Sequence, residues 1–395
     1  MKIRKITVCG GGNGAQTLTT VAALNLGCPV DIYAPFADEA GRLRSGVARH
    51  GGIEVIDTVQ GKARPRHISA EPAQVIPGSD VVALVLPAFA HESTLQQIVP
   101  FLDPGAWVGA MPARGGFDYC TAQILAKKGR DDVGLFGLQT LPWACRIQEY
   151  GRVVHVLGVK KAVDAATRPA AGIEQVAPLL ERMLGLSIGA AANLLALTLA
   201  NTGQLIHPGI MYAHFATWDG TPLPAGEIPL FYQGLSEQGA QTLAGLSNDV
   251  QSIRARLEAE QNLSAVRPLK TWLQRSYGDA IADPSTLRNA FVTNRAYAGL
   301  KSPVKEVSPR QFVPDFQARY LAEDVPFGLA VSRAIAGLAG VETPAMDRVI
   351  AWAGTRLGKD YLGQDAGAAR IPQNYGLENL EQLLAFTREK ARGKT

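Results

Sequence analysis

The first candidate for chemistry is a cluster of glycines near the start of the chain. Residues 10–15 fit the pattern G-x-G-x-x-A. Gly10 permits a tight turn, and Gly12 lets backbone approach a phosphate, which any Cβ would block. In the order strand, turn, helix, this pattern binds the pyrophosphate of a dinucleotide. The cofactor-binding residues that we predict here are Gly10, Gly12, Asn13, Gly14 and Ala15.

The segments that flank these glycines have the required character. The β-branched run from Ile6 to Val8 is typical of a buried strand, and the stretch from Gln16 to Leu26 is rich in helix formers. The helix N-terminus would offer unpaired N–H groups and a positive dipole end to the anion. This context favours cofactor binding over a plain tight turn.

The choice between NAD and NADP stays open at this point. An acid at the end of the second strand, about 20 residues after the glycines, usually holds the NAD ribose. The strand at 30–33 runs into Ala34 instead. Arginines nearby could meet the 2′-phosphate of NADP. The charged residues of this region are Asp31, Asp38, Glu39, Arg42 and Arg44.

A loop after the fourth strand, from Leu86 to His91, is a second candidate for ligand binding. Ligands of open α/β sheets lie beyond the carboxyl ends of the strands, so Pro87 and His91 would cover the nicotinamide side of the cofactor. Alternatively, His91 only caps the next helix. The residues leave both interpretations open.

His207 and Asp324 are candidates for proton transfer. Pro208 places His207 at a predicted helix end or break. Imidazole titrates near neutral pH, although a lone histidine is usually structural. Asp324 precedes a proline and a helical stretch, so it could be a plain N-cap or could orient a distant imidazole.

The elements that must position these residues change in type along the chain. The first half alternates strand and helix patterns, which predicts a doubly wound parallel α/β sheet, a Rossmann fold. Strand-like runs then vanish, and we expect an all-helical second domain. The predicted domains are residues 1–190 and 191–395. Predicted strands are 6–8, 30–33, 80–86, 107–111, 133–136 and 152–157, and predicted helical stretches are 190–205, 233–260, 327–338 and 377–391.

Composition excludes several functional classes. The 395 residues carry a net charge of +4, and the 39 Lys and Arg are scattered, which argues against nucleic acid and anionic membranes as partners. The four cysteines have no CxxC spacing, so we expect no metal site and a reducing cytoplasm. We see no signal peptide and interpret the apolar stretch 184–205 as a buried helix. The long helical stretches could support a homodimer, which the sequence does not decide.

Taken together, these segments resemble the octopine/opine dehydrogenase family. The His-Pro and Asp-Val-Pro segments are the specific ones, whereas the glycine pattern is widely shared. The matching segments are Gly10–Ala15, Leu86–His91, Leu141–Arg146, Asn201–Met211, Asn294–Tyr297 and Arg319–Leu329.

The resemblance implies a Rossmann domain, a helical opine dehydrogenase domain and an active site in the cleft between them. It implies that an amino acid condenses with an α-keto acid such as pyruvate, and that NAD or NADP in reduced form reduces the imine. His207 would match the catalytic histidine, Asp324 its carboxylate partner, and Arg319 the residue that holds the keto-acid carboxylate. We also predict that His91 binds substrate.

Two other functions compete with this one. A two-domain reductase of 2-hydroxy or 2-keto acids would need no amine, and a dinucleotide-sensing protein would bind the cofactor without turnover. The presence of His207, Asp324 and Arg319 argues against the sensor.

Overall fold

A computed structural model describes residues 3–388 of the chain. These residues form two compact units. Within the described range, the first unit contains residues 3–113, 117–197 and 387–388, and the second contains residues 114–116 and 198–386. The short segment 114–116 therefore leaves the first unit and packs with the second.

The first unit alternates strands and helices. Its strands are β1 (Ile6–Cys9), β2 (Val30–Tyr33), β3 (Ile53–Asp57), β4 (Gly61–Ala63), β5 (Ile68–Ser69), β6 (Val81–Leu84), β7 (Trp107–Ala110), β8 (Gly134–Leu138), β9 (Trp143–Glu149), β10 (Val153–Val159), β11 (Ala162–Arg168) and β12 (Ser187–Ala190). Its helices are α1 (Asn13–Leu26), α2 (Glu39–His50), α3 (Pro72–Val75), α4 (His91–Ile98), α5 (Phe117–Lys127), α6 (Ile173–Leu184) and α7 (Leu194–Leu199), of which the last two residues lie beyond the boundary at 197.

Eight strands form the main sheet, in the order β12-β11-β8-β7-β6-β1-β2-β5. Neighbours run parallel except at the β11–β8 pair, which is antiparallel. The strands β1, β2, β6 and β7 are buried at every residue. Continuous burial explains their nearly unbroken apolar sequences, because a parallel sheet is covered on both faces.

A second sheet has the order β4-β3-β10-β9. The run at 152–157, which the alternation assigned to the main sheet, belongs here as β10, antiparallel to β9. Helix α1 packs against this second sheet and against α6. The glycine turn before α1 is thereby fixed between two sheets.

The second unit is mainly helical. Its helices are α8 (Gly203–Phe215), α9 (Glu237–Leu257), α10 (Leu269–Tyr277), α11 (Leu287–Val292), α12 (Arg319–Ala322), α13 (Ala330–Ala339), α14 (Pro344–Leu357) and, reaching the end of the described chain, α15 (Leu380–Arg388). A π-helical turn, Val325–Leu329, joins α12 to α13. Helix α8 packs against α9, α12, α14 and this turn. The last predicted helical stretch extends to residue 391, and its residues 389–391 lie outside the described residues.

The predicted fold class is confirmed: a parallel-dominated α/β sheet precedes a helical region. The prediction of a purely helical second domain missed one feature, a small antiparallel sheet of β13 (Leu223–Pro224), β14 (Val304–Ser308) and β15 (Gln311–Pro314). Its strands are partly exposed and short, so they carry little hydrophobic periodicity.

The prediction of one buried helix over 184–205 is wrong. Helix α6 ends at Leu184, its C-cap residue Gly185 has a left-handed φ of 71°, and β12 and α7 follow before α8 begins. His207 is also not at a helix end, because Pro208 lies inside α8. No helix within residues 3–388 is long and apolar enough to cross a membrane.

Candidate active site

The glycine turn has the shape that a phosphate cradle needs. Gly10 has a φ of +126°, and a Cβ there would lie 2.7 Å from the carbonyl oxygen of Val85. Gly12 differs, because it precedes the first residue of α1 and a Cβ on it would meet nothing within 4 Å. The two glycines therefore serve different purposes: Gly10 is required by the fold, whereas Gly12 leaves open space at the helix N-terminus.

The remaining residues of the motif hold the turn in place. Asn13 Oδ1 accepts a hydrogen bond of 2.8 Å from the backbone N–H of Ile147, which ties the start of α1 to β9. A Cβ on Gly14 would lie 3.0 Å from side-chain atoms of Leu141 and Val85, and Ala15 is 1% exposed. These three positions are small or anchored because α1 is closely packed.

The acid within strand β2 is not available to a ligand. Asp31 is fully buried and lies 3.0 Å from Lys5 Nζ and 2.7 Å from Arg66 Nη2. Burial alone would raise the pKa of this carboxyl, but the hydrogen bonds from Arg66 and Lys5 outweigh burial and lower it. Asp31 is therefore an internal counterion.

Two side chains from elsewhere cover the glycine turn. A Cβ on Gly11 would lie 2.5 Å from Tyr150 Oη and 3.0 Å from Glu39 Cδ. Tyr150 Oη and Glu39 Oε2 are buried and accept or donate no hydrogen bond among the described residues. Burial raises the pKa of Glu39, and burial raises the pKa of Tyr150 to about 12. A carboxyl and a phenol thus sit beside the cradle with unused polar atoms.

The arginines that could meet a 2′-phosphate have other contacts. Arg42 lies over the ring of Tyr150, with 4.1 Å between the guanidinium carbon and the ring centroid. Its Nη1 also lies 3.5 Å from Asp38 Oδ1. Arg44 donates a hydrogen bond of 3.0 Å to the carbonyl oxygen of Ile68.

The loop after β6 contains the other predicted residues of this unit. Pro87 is half-buried and precedes a short 3-10 turn, Ala88–Ala90. His91 is the first residue of α4 and is fully buried, with Nε2 3.2 Å from the carbonyl oxygen of Leu86 and its ring edge-on to Phe117. The residue in the cap position of α4 is Ala90.

In the second unit, folding brings His207 and Asp324 together from positions 117 residues apart. Nδ1 of His207 lies 2.7 Å from Oδ2 of Asp324, whose side chain is 1% exposed. A carboxylate only accepts at neutral pH, so Nδ1 carries the proton and Nε2 has the lone pair of the neutral ring. Asp324 makes no side-chain cap bond to the helix that it precedes.

Aromatic rings enclose the imidazole. Tyr320 stacks on it at 4.2 Å between centroids, and Tyr232 Oη lies 3.2 Å from Nε2. Burial raises the pKa of Tyr232 well above the usual range of a phenol. Tyr232 therefore keeps its proton and donates it in a hydrogen bond to Nε2.

Glycines allow helix α8 to pack closely against the π-helical turn and against α9. A Cβ on Gly328 would lie 2.5 Å from Gln204 Cβ, and one on Gly209 would lie 2.6 Å from Leu243 Cδ2. Helix α8 is thus held between the π-helical turn and α9. The backbone contact at Gly328 positions Asp324 opposite His207.

The two arginines near this pair differ in environment. Arg319, predicted to hold a carboxylate, has a side chain 64% exposed and lies 3.9 Å from Glu323 Oε2. Arg114 was missed by sequence reasoning. Its side chain is 8% exposed, with Nη1 2.5 Å from Asp324 Oδ1 and Nε 3.5 Å from Glu323 Oε1. Its position shortly after strand β7, beyond a strand's carboxyl end, was the available signal.

Comparisons with known proteins identify the family of the chain. The sequence profile of the NAD/NADP octopine/nopaline dehydrogenase alpha-helical domain matches residues 190–357. Octopine dehydrogenase of Pecten maximus is 37% identical over 397 residues, covering 96% of this chain and 98% of that protein. Opine dehydrogenase of Haliotis discus hannai is 36% identical over 403 residues, covering 96% and 99%.

The chain belongs to the octopine and opine dehydrogenase family. It is an NAD(P)-dependent oxidoreductase of the opine dehydrogenase type, which reductively condenses an amino acid with an α-keto acid. Solved structures of octopine dehydrogenase with NADH, one with L-arginine and one with pyruvate, superpose with TM-scores of 0.84 and 0.83. Their identities are 35% and 34%, and each match covers 99% of this chain and 100% of the other.

Proposed function

We propose that His207 is the acid/base group of this dehydrogenase. The supporting observation is the hydrogen bond of 2.7 Å between His207 Nδ1 and the buried Asp324 carboxylate. This contact fixes the tautomer and leaves Nε2 as the site of proton exchange. Nε2 takes a proton from the substrate ammonium, so that the free amine attacks the keto carbon. The same proton then leaves with the hydroxyl group as water when the imine forms.

Asp324 and Tyr232 hold the imidazole ring of His207 in place, each through one of its two nitrogens. The carboxylate stabilises the imidazolium that forms when Nε2 is protonated, because opposite charges attract strongly at a buried site. Tyr232 Oη occupies the Nε2 lone pair in the structure, 3.2 Å away, and a substrate ammonium would take its place.

Arg319 is our proposed ligand for the keto-acid carboxylate. Its guanidinium is largely exposed, and it lies on α12 one residue before Tyr320, which stacks on His207. A planar fork of donors can bind a carboxylate through two hydrogen bonds. Pyruvate is the keto acid that we propose, since the octopine dehydrogenase complex named above contains it.

The first unit supplies the cofactor site in this proposal. Gly10, Gly12, Asn13, Gly14 and Ala15 form the pyrophosphate cradle, and the open space at Gly12 fits that group. The nicotinamide, when bound, supplies the hydride for imine reduction. We retain Pro87 as a cofactor contact and His91 as a substrate-side residue. His91 is fully buried, so that role needs a side-chain movement.

We further propose that the enzyme prefers NADH to NADPH. Glu39 places a carboxyl beside Gly11, where it can accept hydrogen bonds from ribose hydroxyls and would repel a 2′-phosphate. Asp31 cannot do this because Lys5 and Arg66 neutralise it.

Dissociation constants of NADH and NADPH, measured by fluorescence titration, test that preference. Glu39→Gln should tighten NADPH binding about tenfold, which corresponds to about 1.4 kcal/mol. Asp38→Asn is the matched control, because Asp38 is next to Glu39 in the sequence but its own side chain is 71% exposed. A wild-type enzyme that binds NADPH more tightly would contradict the assignment.

An assay of NADH oxidation tests the reaction itself. Pyruvate is supplied with and without a panel of amino acids, and the product is identified by mass spectrometry. Oxidation that requires an amine supports the proposal, whereas equal oxidation without an amine indicates a keto-acid reductase. Cofactor binding without turnover indicates a sensor.

Domain roles, cellular compartment and oligomeric state complete the proposal. We propose that residues 1–190 bind cofactor and residues 191–395 bind substrate, and that the protein acts in the cytoplasm, where its four free thiols remain reduced. A homodimer is the oligomeric state to test by sedimentation at several protein concentrations.

A further inference from the structure

A buried cation shares the carboxylate that holds the catalytic histidine. Oδ1 of Asp324 lies 2.5 Å from Arg114 Nη1, and Oδ2 lies 2.7 Å from His207 Nδ1. Each oxygen of one carboxylate thus serves a different partner. If Asp324 turned about its side chain to favour one partner, it would weaken its contact with the other.

The backbone that carries Arg114 is itself fixed. Arg370, 4% exposed, donates hydrogen bonds to the carbonyl oxygens of Gly115, at 2.8 Å, and Arg114, at 3.3 Å. The backbone N–H of Arg370 donates to the carbonyl oxygen of Pro326, two residues after Asp324. One residue, Arg370, therefore joins the two segments: its side chain holds the segment with the cation, and its backbone N–H holds the segment with the anion.

Arg114 lies close enough to His207 for its positive charge to disfavour protonation of the imidazole. A Cβ on Gly203 would lie 3.0 Å from Arg114 Nη1 and 3.7 Å from His207 Cε1. The guanidinium and the imidazole thus approach the same point from two sides. A side chain at position 203 would press on the guanidinium, whose end would have to shift by a few tenths of an ångström.

The buried charges of this cluster, without the 64% exposed Arg319, balance only when the histidine is protonated. Ionised Glu323 and Asp324 carry two negative charges, and Arg114 carries one positive charge. Glu323 is 2% exposed, so solvent screens these charges weakly. The cluster is neutral when the imidazole is protonated and has a net charge of −1 when it is not.

We propose that Arg114 is a positioning residue that orients Asp324 and limits how strongly the carboxylates favour the protonated form of His207. The inference rests on the proposed function of His207. Without Arg114, two unbalanced carboxylates would hold the imidazolium, and the ring would release its proton only at higher pH. Arg114 thus tunes the pH at which Nε2 can accept a proton from substrate.

Other groups around the ring do not replace this cation. The titratable or charged side chains that face His207 or its carboxylate partner are Tyr232, Tyr320, Glu323, Asp324, Arg114 and, at the exposed edge, Arg319. On α9, Asp249 accepts a hydrogen bond from the backbone N–H of Met346. On α14, Asp347 pairs with Arg333.

The titration of His207 by NMR in the full chain tests the proposal without requiring turnover. The chain has six histidines, so isotope-labelled imidazole signals can be assigned by comparison with His207→Gln. Arg114→Gln should raise the titration midpoint of His207 by about one pH unit, because a nearby buried positive charge that opposes protonation of the ring is lost. Arg114→Lys, which keeps the charge, should stay within a few tenths of wild type.

Charge compensation provides a second test. Glu323→Gln should lower the midpoint, and the double variant Arg114→Gln/Glu323→Gln should return it toward wild type, because the net charge of the cluster is restored. Arg333→Gln is the matched control, since Arg333 pairs with Asp347 at 3.0 Å on a half-exposed surface. It should leave the midpoint unchanged.

The outcomes separate the alternatives. A folded Arg114→Gln variant with an unchanged midpoint would overturn the proposal and leave Arg114 as a purely structural ion pair. If Arg114→Gln does not fold, an unchanged midpoint in Glu323→Gln overturns it instead. Failure of the proposed function has a different signature, the absence of amine-dependent NADH oxidation by wild type, and leaves the titration result intact.

Discussion

Asp324→Asn isolates the charge that supports the imidazole. The two oxygens of the carboxylate face different partners: Oδ2 accepts a hydrogen bond from His207 Nδ1 at 2.7 Å, and Oδ1 forms an ion pair with Arg114 Nη1 at 2.5 Å. Asparagine has the same shape but only one acceptor. Its NH2 group must therefore point at a donor, either the guanidinium or the Nδ1–H of the ring.

The size of the effect follows from distance and burial. Opposite charges about 4 Å apart at an effective dielectric of about 20 attract by about 4 kcal/mol. Arg114 shares the carboxylate, so we expect about 2 to 3 kcal/mol to be lost from the transition state. That corresponds to a fall of roughly 30- to 150-fold in kcat/KM. The acid limb of the pH–rate profile should move to lower pH, because the imidazolium loses its counterion.

Steady-state kinetics from pH 5 to pH 9 measure both effects, with circular dichroism and thermal unfolding to verify the fold. The direction of the pH shift is opposite to that expected for Arg114→Gln, which makes the pair of variants diagnostic. Asparagine caps a helix as well as aspartate does, so a plain N-cap predicts no change in rate or pH profile. Wild-type behaviour across the pH range would refute the pairing of Asp324 with His207.

Three further substitutions test the remaining assignments. His207→Ala should lower kcat by roughly two to four orders of magnitude, as loss of an acid/base group does, and near-normal turnover would rule out this role. Gly12→Val should weaken NADH binding in calorimetry without lowering the melting temperature, because the new side chain enters open space; unchanged affinity would leave Gly12 as a turn residue only. Arg319→Lys should raise the KM for the keto acid more than it lowers kcat, because lysine lacks the planar fork, and an unchanged KM would place the carboxylate elsewhere.

The sequence alone determined the parts of this protein that depend on local pattern. The strands β1, β2, β6 and β7 were predictable because parallel strands buried on both faces need unbroken apolar runs. The turn at Gly10 was predictable because only glycine accepts its backbone conformation without strain. Helices α9 and α13 followed from periodicity. The family resemblance rested on short segments whose order is visible in one dimension.

Tertiary structure decided which side chains share a site. Nothing in the sequence near Asp324 distinguishes a helix cap from a partner of His207, because the contact spans 117 residues. The sequence shows Asp31 only as an acid within the second strand, and the fold reveals that Lys5 and Arg66 neutralise it.

Arg114 is the clearest case of a residue that local sequence could not assign. It follows a strand of the first unit but packs with the second, where it meets the carboxylate of Asp324. Local sequence specifies backbone conformation, whereas the pairing of buried charges depends on distances that exist only once the chain has folded.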